Sequence, residues 1–298
     1  MMSIVYLNGQ MMNAEEAMVS VYDHGFLYGL GLFETFRTYG GHCFLLERHM
    51  KRLLESCDQL GIQLRMNAAD VQQAVGELLQ LNKLEDGYVR LTVSGGMGEL
   101  GLPSEDYDQA TVVIMVKPLG AMSEEVWNTG KALQLLQTRR NTPEGRYRFK
   151  SLHYMNNILA KRELLSLGTR TAAGAEGLML SEKGILAEGI VSNLFFVQDG
   201  VIYTPHIDTG ILPGITRQYV IELARHLSYE VREGHYDFEA LWNSSEAWMT
   251  NSIQELVPVT TLITTAGEKQ QLSGGEAGPI CRQLTAAYRA SIDKQIES

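Results

Sequence analysis

The 298-residue chain is short of cysteine, of basic runs and of long apolar runs, and each shortage removes a class of protein. Its three cysteines, Cys43, Cys57 and Cys281, are odd in number and scattered. That excludes a disulfide framework and reads as reduced, mostly buried thiols. No Cys or His spacing resembles a zinc site, so no metal is expected. No Lys/Arg run exceeds a doublet and the formal charge is −10, which argues against a nucleic-acid or anionic-membrane surface. The apolar runs are strand-sized, so none spans a bilayer. The chain opens on a strand and turn with no signal-peptide pattern, and a cytoplasmic location is expected. Neither an internal repeat nor a low-complexity tract is present. What remains is 45% hydrophobic and 20% charged, the composition of a globular protein with length for two domains.

Taken in order, residues 1–117 read as strands followed by helices. Segment 23–31 is a glycine-punctuated loop, and three glycines in seven residues imply close backbone approach. Segments 33–39 and 42–45 flank Gly40-Gly41, a hairpin signal. Leu46, Met50, Leu53, Cys57 and Leu60 make one helical stripe that Gly61 closes, with His49, Arg52 and Ser56 on another flank. A second helix is expected at 70–81, an alternating strand at 88–94, and a strand covered on both faces at 111–116. Pro118-Leu119-Gly120-Ala121 marks the domain boundary. Beyond it, 177–205 reads as a meander, and Pro213-Gly214 leads into another helix.

One apparent motif fails a physical test. Gly96–Gly101 matches G-x-G-x-x-G, but Leu102-Pro103 opens no long helix, and a glycine-rich turn is the better reading. Lys150 is more informative. With Ser151 as N-cap and Leu152, Met155, Ile158, Leu159 and Leu165 on one face, it is expected at a helix start, where the dipole favours a neutral, nucleophilic amine. Gly214, Ile215 and Thr216 form a phosphate cradle at the next helix start, which Arg52 and Ser252 could complete. Glu188, in a turn between apolar strands, could keep a pyridine nitrogen protonated. Each has a bland alternative: a solvated lysine, a capped helix, a hairpin acid.

Six stretches, in order, resemble the fold-type IV pyridoxal 5′-phosphate (PLP) enzymes, the class IV aminotransferase family. They are DHGFLYGLGLFET at Asp23, His49-x-x-Arg52-Leu53, KSLHYMNNILAKRE at Lys150, EGIVSNLFF at Glu188, GILPGITR at Gly210, and Asn251-Ser252 with Val257-Pro258-Val259. The resemblance implies an α/β (α+β-like) fold: a small N-terminal α/β domain (1–119), a linker (120–130) and a larger strand-rich domain (131–298). PLP is expected in the cleft between the domains, and the chain as a homodimer. By position, Lys150 would be the Schiff-base lysine and proton shuttle, and Glu188 the partner of the pyridine nitrogen. Arg52, Ile215, Thr216 and Ser252 would hold the phosphate, Leu212 would lie against the ring, and Tyr154 would reach the ring hydroxyl.

Within the family the chain looks most like the bacillus-type 4-amino-4-deoxychorismate lyases, through FLYGLGLFETFR, RLTVSGG, Arg139–Gly145 (RRNTPEG) and AWMTNSIQELVPV. Leu91 and Phe33 stand where the branched-chain enzymes carry a proline and the D-amino acid enzymes a tyrosine. The implied reaction eliminates pyruvate from 4-amino-4-deoxychorismate to give 4-aminobenzoate for folate synthesis. Arg90 and Arg139 or Arg140 are the candidates for the two substrate carboxylates, with Phe33 beside them. The alternatives are a class IV aminotransferase, a non-catalytic PLP-binding protein and, more distantly, an NAD-dependent oxidoreductase.

Overall fold

The structure, a computed structural model, describes residues 3–120, 124–168 and 174–296. Its contacts define two compact units. One comprises Met1–Gly120, Phe149–His153 and Ile292–Ser298; the other comprises Ala121–Arg148 and Tyr154–Ser291.

The first unit carries a six-stranded sheet in the order β2-β1-β6-β5-β3-β4. The strands are β1 (Ile4–Leu7), β2 (Gln10–Asn13), β3 (Gly31–Tyr39), β4 (His42–Cys43), β5 (Tyr88–Ser94) and β6 (Thr111–Lys117), and every pairing is antiparallel. The β3–β4 turn uses Gly40 and Gly41 at φ +55° and +79°, backbone that side chains resist. Its helices are α1 (His24–Tyr28), α2 (Leu46–Gln59) and α3 (Ala68–Leu81). Asn67 and Asp70 close a capping box on α3, which therefore starts earlier than the hydrophobic pattern alone indicates. Leu46, Met50, Leu53 and Cys57 of α2 pack with Leu78 of α3 over Phe36, Leu91 and Ile114 of the sheet. The expectation of a doubly covered β6 is corrected: Ile114 and Val116 are buried, whereas Met115 and Lys117 are exposed. The sheet has one helix-covered face, so β6 alternates.

The glycines of segment 23–31 approach their own chain. A Cβ on Gly29 would lie 2.6 Å from the His153 ring, and one on Gly31 would lie 2.7 Å from Leu152. Those contacts seat Phe149–His153 along β3.

The second unit carries nine strands in the order β12-β11-β10-β13-β14-β7-β8-β9, with β15 on β14. They are β7 (Lys131–Leu135), β8 (Glu176–Leu180), β9 (Leu186–Gly189), β10 (Asn193–Gln198), β11 (Val201–Pro205), β12 (Val231–Gly234), β13 (Glu246–Asn251), β14 (Glu255–Ile263) and β15 (Lys269–Gln271). The expected meander appears as two antiparallel pairs, β8–β9 and β10–β11, at separate places in the sheet. Around them lie α4 (Glu124–Thr129), α5 (Met155–Ser166), α6 (Ile215–His226), α7 (Phe238–Trp242) and α8 (Pro279–Ile296). Segment 120–130, expected as linker, contains α4, whose Trp127 is buried and donates Nε1–H to the Leu256 carbonyl at 2.7 Å. No helix among the described residues is long and apolar enough to cross a membrane.

The helix after Lys150 differs most from expectation. It begins at Met155 with Tyr154 as its uncapped N-cap, and its buried residues are Asn157, Ala160 and Leu164. Met155, Ile158, Leu159 and Leu165, expected on one helical face, are 68%, 50%, 51% and 66% exposed.

Candidate active site

In the first unit, Lys150 lies on extended chain beside β3. Phe33 N donates to the Lys150 carbonyl at 2.8 Å, Leu152 N donates to the Gly31 carbonyl at 2.9 Å, and Leu32 bridges Ser151. Ser151 is therefore a sheet partner and not a helix cap, and the helix-start argument for Lys150 does not hold. The lysine is fixed by strand pairing, a rigid support of another kind. Its half-buried side chain places Nζ 4.6 Å from the centre of the Phe33 ring, and Arg90 Cζ lies 3.8 Å from the same ring. Arg90 Nε also donates to Thr92 Oγ1 at 3.2 Å. A buried aromatic thus carries both the candidate nucleophile and a candidate carboxylate-binding arginine.

Arg52 is committed to a partner that sequence reasoning did not weigh. Its Nε and Nη2 donate to the two carboxylate oxygens of buried Glu34 at 2.8 and 2.6 Å. His49 Nδ1 lies 2.7 Å from the same carboxylate. Burial would raise the Glu34 carboxyl, but Arg52 and His49 outweigh it and hold its pKa at about 2. A carboxylate that stays charged can only accept, so His49 Nδ1 carries the proton. Burial depresses the His49 pKa against the pull of Glu34, and the charges of Arg52 and Lys150 depress it further. The i,i+3 spacing of His49 and Arg52 on α2 was the available signal.

In the second unit, Glu188 lies on β9 and is buried. Arg140 Nε donates to its Oε1 at 2.7 Å, with Arg148 Nε 4.0 Å from the same oxygen. Its Oε2 accepts from Leu212 N at 2.9 Å and from Asn193 Nδ2 at 3.2 Å. Arg140 is itself buried and donates to Asn156 Oδ1 at 2.7 Å and Asn157 Oδ1 at 3.3 Å. Its expected substrate role is corrected: it clasps Glu188. Arg139 is exposed, and its carbonyl accepts from Asn156 Nδ2 at 2.8 Å. Arg148 binds the Gly210 carbonyl through Nε at 2.5 Å, and also Asn141. Burial, with Arg140 nearby, lowers its pKa to about 10 although Glu188 and Glu144 oppose the shift.

The helix start itself falls where the local pattern implies. α6 starts at Ile215 with Gly214 as N-cap, and no side chain caps its first turn. A Cβ on Gly214 would lie 2.0 Å from Asn193 Oδ1, so only glycine fits beside the residue that bonds Glu188. Buried Thr216 and half-buried Ser252 share a hydroxyl hydrogen bond of 3.1 Å. Tyr154 is half-buried at the head of α5, where its carbonyl accepts from Ile158 N at 3.0 Å. The structure thus groups Phe33, Arg90 and Lys150, pairs Thr216 with Ser252, and joins Glu188 to Leu212, Asn193 and Arg140.

These residues fit PLP. Glu188 offers roughly four lone-pair sites, and Arg140, Leu212 and Asn193 donate to three of them, leaving capacity for a pyridine N–H. The first-turn amides of α6 and the two hydroxyls suit a phosphate dianion. The strand-held Lys150 is of the type that would supply the amine.

The second unit carries a clasped acid and an uncapped helix start, and the first a strand-held lysine, residue types that a cofactor enzyme uses. Residues 31–262 match the family described as "Amino-transferase class IV", and the chain belongs to it. It is a PLP-dependent enzyme. The chain is 40% identical over 295 residues to the aminodeoxychorismate lyase of Bacillus subtilis (strain 168), covering 98% of this chain and 96% of that protein. It is 33% identical to a putative branched-chain-amino-acid aminotransferase of Methanocaldococcus jannaschii, covering 96% of this chain and 95% of that protein. Among solved structures it is similar to the branched-chain amino acid aminotransferase of "T.th." with pyridoxamine 5′-phosphate, at TM-score 0.84 and 30% identity, covering 98% of this chain and 94% of that one.

Proposed function

We propose that the protein is a 4-amino-4-deoxychorismate lyase, releasing pyruvate and 4-aminobenzoate for folate synthesis. The observation that carries this reading is the near full-length 40% identity to the Bacillus subtilis lyase. The geometry agrees with it: Arg90 and Lys150 share the Phe33 ring, so an acidic substrate can be held beside the base.

PLP, when bound, supplies the electron sink that stabilises negative charge on the amine-bearing carbon. Lys150 would hold the cofactor through its Nζ amine and, as the base, would remove the proton from C4 of the substrate. Its strand-fixed backbone keeps that base in place. The C–O bond to the enolpyruvyl group on the neighbouring carbon then breaks, aromatisation drives the step, and the three-carbon fragment takes up a proton to leave as pyruvate. Glu188, clasped by Arg140, would sit against the pyridine nitrogen and favour its protonated form. Arg52, Gly214, Ile215, Thr216 and Ser252 would hold the phosphate, Leu212 would lie against the ring and Tyr154 would serve the ring hydroxyl. Arg90 and Arg139 take the substrate carboxylates.

The working form is a homodimer in the cytoplasm. The exposed apolar residues of α5 supply surface for a second copy, and the three free, buried cysteines suit a reducing compartment. A branched-chain or D-amino acid aminotransferase is the second reading, favoured by the Methanocaldococcus jannaschii relative. Assaying the enzyme with aminodeoxychorismate and, separately, with those amino acids plus 2-oxoglutarate distinguishes them. The lyase reading expects 4-aminobenzoate; fast glutamate formation without it would overturn that reading.

A further inference from the structure

Away from the residues assigned to PLP, the second unit brings together three metal-ligating side chains. His206 Nδ1 lies 2.9 Å from Asp208 Oδ1, and His235 Nε2 lies 2.6 Å from the same oxygen. The three ligand atoms are all within 4.8 Å of one another. We propose that His206, Asp208 and His235 form a surface binding site for a late first-row divalent cation such as Zn²⁺.

The scaffold is preorganised. β11 and β12 run parallel with Pro205 opposite Gly234, and His206 and His235 are the residues that directly follow the two strands. His206 N donates to the Gly234 carbonyl at 2.9 Å, so the two histidines are tied through the backbone. Arg217 Nη2 pins both strand ends, at 2.8 Å from the Pro205 carbonyl and 2.9 Å from Glu233 Oε2. Asp208 stands on the single 3₁₀ turn Ile207–Thr209, which Gly210 ends at φ +88°. Thr209 Oγ1 fastens that turn to the His206 carbonyl at 2.8 Å.

The donor set selects the ion. Two imidazole nitrogens and one carboxylate suit Zn²⁺, Ni²⁺ or Cu²⁺, whereas Mg²⁺ and Ca²⁺ demand more oxygens. Metal–ligand bonds of about 2.0–2.2 Å place tetrahedral ligand atoms about 3.4 Å apart. The side chains need to open by less than about 1 Å from their hydrogen-bonded positions to reach this. They are 43%, 55% and 54% exposed, which leaves that motion free and the remaining coordination positions to water. The turn continues through Gly210, held by Arg148, to Leu212, whose amide holds Glu188; a bound ion therefore stiffens a segment that supports the cofactor acid.

Isothermal titration of the untagged holoenzyme with Zn²⁺ and with Mg²⁺ tests the site, alongside His235→Ala and Asp208→Asn, both surface substitutions. The expected result is one Zn²⁺ equivalent in the parent protein that weakens roughly tenfold or more in each variant, with no Mg²⁺ binding. Absence of Zn²⁺ binding, or binding of equal stoichiometry and affinity in parent and variants, would overturn it; the latter places the ion on other histidines or on the cofactor.

Discussion

Glu34→Gln tests the electrostatics of the first unit. The carboxyl falls from an ordinary 4.5 to about 2, and it is 1% exposed. At about 1.4 kcal/mol per tenfold change in proton affinity, its charged form contributes roughly 3 kcal/mol to folding. Because the folded pKa is depressed, that contribution is fully present above pH 4.5 and is lost as pH falls towards about 2. Glutamine keeps the shape but removes the charge, leaving Arg52, 14% exposed, without its counter-ion. Breaking such a pair costs about 3–5 kcal/mol. Urea unfolding at neutral pH and at several acid pH values, followed by tryptophan fluorescence and circular dichroism, should show two effects. The variant is less stable by several kcal/mol at neutral pH, and its stability falls less than the parent's across the acid range. A loss under about 1 kcal/mol at neutral pH, with an unchanged acid slope, refutes the assignment of Glu34 as the buried anion that organises Arg52.

Arg140→Ala removes the principal cation from Glu188 and should destabilise the protein by about 3 kcal/mol or more while lowering PLP content, measured by thermal unfolding and absorbance. Gly214→Ala meets Asn193 Oδ1 at 2.0 Å in a backbone conformation alanine otherwise tolerates (φ −67°), so PLP affinity should fall with little change in secondary structure. A fluorescence titration in which affinity is unchanged would contradict the cradle. Burial pushes the Cys43 and Cys57 thiols up to about 12 and raises that of Cys281 further. All three should resist a thiol reagent in the native protein and react on unfolding.

Local pattern carried much of the fold. The Gly40-Gly41 turn, the Leu46–Cys57 stripe and the start of α6 each follow from neighbours within a few residues, and each is where the sequence places it. What local pattern missed depends on distant pairing. Nothing near Lys150 announces that it runs beside Gly31 and Phe33, so a lysine before an apolar stripe reads as a helix start. The stripe on α5 proves exposed because periodicity reports amphipathicity and not which side is covered. Arginines were sorted by type toward substrate carboxylates, yet Arg140 is buried against Glu188, a pairing only the folded chain reveals. His206, Asp208 and His235 escaped a search for zinc spacing because their proximity comes from the parallel register of β11 and β12.

The most direct test of the central claim compares the parent enzyme and Lys150→Ala on 4-amino-4-deoxychorismate, with 4-aminobenzoate and pyruvate both quantified. The account predicts equal amounts of the two products from the parent enzyme. For the variant, whose fold is preserved by circular dichroism, it predicts a fall in turnover of about a hundredfold to ten-thousandfold. Turnover by Lys150→Ala close to that of the parent enzyme would contradict it.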